Sequence, residues 1–221
     1  MGCAIVKEME IRQAKAREER ENAALRKLAL VEHAVFRSAA GWKKNTYRNE
    51  QLLSLATAEN VALEISLKEQ RGLLLVRTAI AMDFPVATGR KSHPTPAGEF
   101  TILAKEKTYS SNLYGKIYDA QGALLVADAD TRTDPVPPGG RFDGATMPYW
   151  MRLTDTGVGL HVGYVPGRPA SHGCIRLKRN VATQLFGLLK VGTPVTIADI
   201  PPSLVTEQPE QPAKKGRDSS S

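Results

Sequence analysis

The 221 residues contain only two cysteines, Cys3 and Cys174, and only four histidines. Two thiols so far apart, in such different surroundings, argue against a structural disulfide. Long apolar runs are missing as well. None reaches the length of a membrane span, and residues 1–30 hold no apolar signal-peptide segment. There is no internal repeat. Charge of one sign does not dominate locally: 30 Lys and Arg against 23 Asp and Glu leave a net +7, but basic residues alternate with acids in the N-terminal region. No basic stripe carries interleaved aromatics, so no nucleic-acid partner is expected. What is present is 42% hydrophobic residues in a chain long enough to bury a full core.

The informative stretch is Gly159-Leu160-His161-Val162-Gly163-Tyr164 followed by Ser171-His172-Gly173-Cys174-Ile175-Arg176-Leu177, which brings two histidines beside a cysteine. From residue 157 to 163 apolar side chains alternate with Gly157, Gly159, His161 and Gly163, the period of a strand with one buried face. His161 therefore projects from the glycine-lined face, where missing side chains leave room for a substrate. Residues 165–170 form a turn-rich loop on which the chain can double back. Cys174 would then lie near His161, with backbone N–H groups around Gly173 and Cys174 aimed at a developing oxyanion. A thiol attacks as thiolate, so an adjacent imidazole is expected to lower the Cys174 pKa below that of a free thiol. Taken singly, a buried Cys or a hydrogen-bonded His is ordinary structure; the joint arrangement favours a nucleophile with its base. His172 and Cys174 are one residue apart with no fourth ligand near, so no metal is expected, and no cofactor.

These residues closely resemble the signature of the L,D-transpeptidase catalytic domain (YkuD type). Phe84-Pro85-Val86-Ala87-Thr88-Gly89, Thr95-Pro96-Ala97-Gly98-Glu99-Phe100, Met147-Pro148-Tyr149-Trp150 and Gly192-Thr193-Pro194-Val195-Thr196-Ile197 resemble further family segments in the family's order. The resemblance covers about residues 60 to 199. Two departures stand out: the interval from His161 to Ser171 is short, implying a trimmed loop, and Arg176 stands where some members carry Asn.

The resemblance implies an L,D-transpeptidase acting on peptidoglycan stem peptides outside the cytoplasmic membrane, the alternative being a carboxypeptidase or crosslink hydrolase that uses the same cysteine. Cys174 would be the nucleophile, forming a thioester acyl-enzyme, and His161 the proton acceptor and donor. His172 would orient the loop, though the two histidines could exchange roles, and the Gly173 backbone would serve the oxyanion. Ser171, Arg176, Tyr149, Trp150 and Met147 would contact substrate. For Arg176 the choice is between a substrate carboxylate and a loop salt bridge; for the aromatics, between a cleft wall and the core. A non-catalytic wall-binding module is the remaining alternative, and the acceptor is left open. A basic surface is compatible with anionic wall polymers, as it is with simple solvation.

The fold expected is mainly β, a β-sandwich or barrel with one short helix, plus an N-terminal helical extension and a disordered C-terminal tail. A hairpin pairs residues 61–67 with 73–76, strands follow at 79–86, 98–103 and 194–197, and a helix spans 180–189, closing at Gly192 after Lys190. Residues 1–44 form the charged extension, helical from Lys7 to about Arg37; residues 45–59 hold a short helix, 60–199 the catalytic domain, and 200–221 the tail. Leu25, Leu28 and Val31 give only a partial apolar stripe, so a solvated or partner-packed helix is expected in preference to a long coiled coil, a spacer contributing little to the core. If the chain derives from a longer precursor, Gly2-Cys3-Ala4 would end a lipoprotein cleavage site, with Cys3 lipidated and bound to a membrane; the alternative is an ordinary cysteine.

Overall fold

A computed structural model describes residues 2–205, with side chains from Lys7 onward. The Cys3 side chain, and with it the lipidation reading, lies outside the described residues, as does the tail from residue 206.

The N-terminal extension is one helix, α1 (Gly2–Ser38). A 3-10 turn (Trp42–Lys44), β1 (Tyr47–Arg48) and a short α2 (Glu50–Ser54) lead into the domain. Then come β2 (Val61–Ser66), β3 (Arg71–Val76), β4 (Ala79–Ala87), β5 (Gly98–Thr101) and β6 (Ala104–Glu106). Next are β7 (Ser110–Tyr118), β8 (Leu124–Asp130), β9 (Arg141–Thr146), β10 (Trp150–Arg152), β11 (Gly159–Val162) and β12 (Ile175–Leu177). Helix α3 (Arg179–Leu188), β13 (Pro194–Ala198) and a four-residue α4 (Pro202–Val205) complete the order.

The protein is mainly β, as the sequence predicts. The large sheet runs β5-β13-β2-β3-β4-β12-β11-β10-β6, and β1 pairs with β4. The long β4 organises it: β3 pairs along most of one edge, while β1 takes Met82 and Asp83 and β12 takes Val86 and Ala87. Strands β2 to β4 are buried almost throughout because both faces are covered, and the polar side chains among them, Glu64, Ser66, Arg71 and Asp83, are buried with the apolar ones. On one face Leu63, Ile65, Leu74, Met82 and Phe84 meet Val181, Ala182 and Leu185 of α3 in the main core. On the other, Leu73, Leu75 and Ile80 form a smaller cluster with Tyr47 and Leu204, against which Phe36 of α1 packs.

That second face corrects the spacer reading of α1. The buried positions are Ala29 and His33, with Leu25 and Phe36 partly covered, whereas Leu28 and Val31 are exposed. A histidine, His33, occupies the centre of the buried stripe and interrupts its apolar pattern. His33 Nε2 meets Asp83 Oδ2 at 2.8 Å, and Arg71 Nε donates to Asp83 Oδ1 at 2.6 Å, all three side chains being almost wholly buried. Arg71 also donates to the carbonyls of Lys43 and Asn45 at 2.9 and 3.0 Å, so the segment after α1 is tied to β3. A buried ion pair must satisfy its remaining donors in this way to offset desolvation.

Two further differences have local causes. Helix α3 is closed by Lys105 of β6, whose ammonium donates to the Phe186 carbonyl at 2.6 Å and to that of Leu189, rather than by Lys190, which pairs with Glu59 at the surface. Residues Ile200 to Val205 also remain packed: Leu204 is buried, and Ser203 donates to the Glu64 carboxylate. A three-stranded sheet, β8-β7-β9, adds to the strands that the sequence predicts. Its strands are largely exposed on both faces, so they lack the apolar alternation by which strands are read.

Candidate active site

Strands β11 and β12 are parallel neighbours with Leu160 opposite Ile175 and His161 opposite Arg176. Leu160 and Ile175 point into the core, fully buried, so His161 and Arg176 share the opposite face. Cys174 immediately precedes β12. These groups open on a cleft of about 870 Å³ whose walls include Tyr109, Tyr114, Trp150, His161, His172 and Cys174.

The glycine-lined face is not simply empty. A side chain at Gly159 would lie 2.6 Å from Trp150 Nε1, and one at Gly163 would lie 2.9 Å from the Arg176 stem. Those glycines make way for two cleft residues, while Gly157 faces open space. Trp150 stacks on Tyr109 at 4.0 Å between centroids, and its indole N–H is buried without a partner among the described residues. Trp150 and Met147 thus form a largely buried wall of the cleft. Tyr149 is not part of it. Its backbone turns left-handed (φ 57), and its ring packs T-shaped on Phe186 at 5.4 Å, against the main core.

The Ser171–Cys174 loop is held by its own polar groups. Ser171, fully buried, donates through Oγ to the Cys174 carbonyl and accepts from the Gly173 N–H at 3.1 Å. Its backbone bonds to Thr88 and Arg90, and Gly89 bridges to it. Thr95 Oγ1 donates to the Gly173 carbonyl at 2.7 Å. Gly173 adopts φ 113, a conformation closed to most other residues. Ser171 is therefore spent on building the loop, and the Gly173 N–H is already engaged. The Cys174 N–H has no hydrogen-bond partner among the described residues.

Electrostatics also depart from expectation. Burial pushes the Cys174 thiol up, against the opposing pull of the Gly159 N–H and the Arg176 guanidinium. Burial lowers His161 to about 4, opposed by its bond to the Val162 carbonyl and aided by Arg176. The thiol is thus not depressed below its free value: the low-dielectric site disfavours both charged forms, and the resting pair is neutral thiol and neutral imidazole. A carbonyl only accepts, so the 2.9 Å contact of His161 Nδ1 with Val162 O places the ring proton on Nδ1 and leaves the Nε2 lone pair free. Arg176 makes no ion pair among the described residues and lines the cleft. His172 is bound elsewhere: its Nε2 meets Arg90 and lies 3.4 Å from Asp128 Oδ1, and its ring stacks on Tyr114 at 4.4 Å. Arg90, Asp128 and Tyr114 carry no motif, and only the tertiary arrangement brings them to the site. No group of three or more His, Cys, Asp or Glu that could hold a metal occurs among the described residues.

The family model described as L,D-transpeptidase catalytic domain (YkuD) matches residues 60–197. The chain is 28% identical over 120 residues to "Probable L,D-transpeptidase 3" of Mycobacterium tuberculosis, covering 52% of this chain and 38% of that protein. It is 25% identical over 138 residues to "Putative L,D-transpeptidase YkuD" of Bacillus subtilis, covering 61% of this chain and 64% of that one. It therefore spans well under half of the first relative's length and less than two thirds of the second's. Among solved structures, an L,D-transpeptidase from Mycobacterium smegmatis aligns with a TM-score of 0.48 at 24% identity, covering 63% of this chain and 58% of that one.

Proposed function

The chain belongs to the L,D-transpeptidase catalytic domain family, and from that premise we propose that it is a cysteine acyltransferase acting on peptidoglycan stem peptides in the bacterial cell envelope. The observation that carries this reading is that Cys174 and His161 line one cleft, the Cys174 thiol resting 3.7 Å from the Gly157 carbonyl and His161 using only Nδ1 in its bond to Val162 O. Because both groups rest neutral, proton transfer accompanies attack. His161 Nε2 takes the thiol proton as Sγ bonds to the carbonyl carbon that precedes the terminal D-residue of a tetrapeptide stem. The Cys174 N–H stabilises the oxyanion, a contribution of the order of 10²–10³ in rate for one such donor. Collapse breaks the C–N bond, His161 returns the proton to the leaving amine, and D-alanine departs from a thioester. An acceptor amine then gives a proton to His161 and attacks the thioester; the restored thiolate takes that proton back.

Arg176, cationic and unpaired among the described residues, is the group suited to a substrate carboxylate. Trp150 and Met147 form the adjoining apolar wall.

Incubation with a tetrapeptide stem, with and without an added amine, and mass spectrometry of the products tests this reading. A thioester mapped to the Cys174 peptide and D-alanine release are expected, and a carbapenem should acylate the same peptide. With amine present, the crosslinked product should dominate; hydrolysis alone would make the protein a carboxypeptidase. Turnover by Cys174→Ala would overturn the mechanism.

A further inference from the structure

His172 is enclosed by groups from four elements. Arg90 and His93 reach it from the segment after β4, Tyr114 from β7, Asp128 from β8, and the Arg176 charge acts on it from β12. Arg90 Nη1 also donates to Asp128 Oδ2 at 3.1 Å, and Arg132 Nη2 donates to the Tyr114 hydroxyl at 2.7 Å.

The two polar partners of His172 Nε2 require opposite protonation. A guanidinium has only donors, so the nitrogen facing Arg90 must offer a lone pair. A carboxylate only accepts, so Asp128 would need an N–H at the same atom. Arg90 makes the closer contact, and Asp128 already accepts from Arg90, so the guanidinium decides. The proton then resides on Nδ1, which has no partner among the described residues and belongs to a ring that lines the cleft.

We propose that Arg90, fixed by Asp128, is a positioning residue that locks His172 as the neutral imidazole protonated on Nδ1. His172 then offers the cleft a hydrogen-bond donor and is not a second base. Burial, which lowers the His172 pKa, favours the same neutral ring. Because Asp128 and Tyr114 belong to the three-stranded sheet, the seating of that sheet on the catalytic loop fixes the position of this proton.

The catalytic use of this donor rests on the acyl-transfer reading, but the tautomer does not. Long-range proton–nitrogen correlation spectra of the full chain labelled with ¹⁵N-histidine read it directly at neutral pH, with His172 assigned through His172→Gln. The expected signature is a pyrrole-type Nδ1 and a pyridine-type Nε2. Arg90→Gln should move the proton to Nε2, Arg90→Lys should keep it on Nδ1, and acylation of Cys174 by a stem peptide should slow about tenfold in Arg90→Gln. Alkylation of Cys174 by iodoacetamide should keep its rate in that variant. An Nε2–H or imidazolium signature in the unsubstituted chain, or an Nδ1–H that survives Arg90→Gln, overturns the proposal. An intact Nδ1–H signature without any acylation would instead sink the acyl-transfer reading and leave the assignment standing.

Discussion

Thr95 and Gly173, 78 residues apart, are joined by a 2.7 Å hydrogen bond from the threonine hydroxyl to the glycine carbonyl. The same hydroxyl accepts the Gly89 N–H at 2.8 Å, so one side chain clamps the end of β4 to the nucleophile loop. The Thr-Pro segment and the Ser-His-Gly-Cys segment thus form one unit, although each reads in sequence as a separate motif.

Thr95→Val keeps the shape and removes both bonds, leaving a buried acceptor and a half-buried donor unsatisfied. The expected loss is about 2 kcal/mol in chemical denaturation, with slower acylation of Cys174; Thr95→Ser should retain most of both. Equal stability of the valine variant and the unsubstituted chain would show that the clamp contributes nothing.

The thiol is raised by burial, so its reaction with iodoacetamide should climb with pH through and beyond the ordinary thiol range, with little rate below pH 7. Acylation, which needs only a neutral His161, should behave differently. Its acid limb should fall near pH 4, where that histidine protonates, and not near 6.5. A rapid alkylation plateau below pH 7 would mean a preformed thiolate.

Stability should follow the same histidine. In the unfolded chain His161 takes a proton near pH 6.5, whereas in the fold it resists until about 4. Above pH 6.5 it is neutral in both states and has no effect. As pH falls from 6.5 to 4 the unfolded state binds the proton first, and stability drops by about 3 kcal/mol. Denaturant titrations should show this acid-side loss reduced in His161→Gln; an unchanged slope would place His161 in a more solvated environment.

The contacts between α1 and β4 predict the fate of a shortened chain. Residues 45–200 alone would expose Tyr47, Leu73 and Leu75 and remove His33 from Asp83. Such a chain should melt well below the full-length protein. In the full chain, His33→Ala should cost about 2 kcal/mol. Asp83→Ala should cost more, about 3–5 kcal/mol, because it strands the buried Arg71 charge. Identical melting of the shortened and full chains would restore α1 to the role of a spacer.

The sequence by itself determined the mainly β fold, the β2–β3 hairpin and the strand that carries His161, because each depends on local alternation and turn residues. It also determined the family, since the Ser171–Leu177 segment is contiguous and its residue types are rarely found together. Tertiary structure alone decided the rest, where the cause lies in contacts between distant segments. Burial on β11 and beside β12, and not the imidazole next to a thiol, sets the neutral state of Cys174 and His161. The Phe186 contact turns Tyr149 away from the cleft, and the β8 carboxylate of Asp128 reaches His172 only after the three-stranded sheet has docked. The packed face of α1 was hidden because its central residue, His33, is polar, and a polar residue joins a core only when the fold supplies a partner such as Asp83.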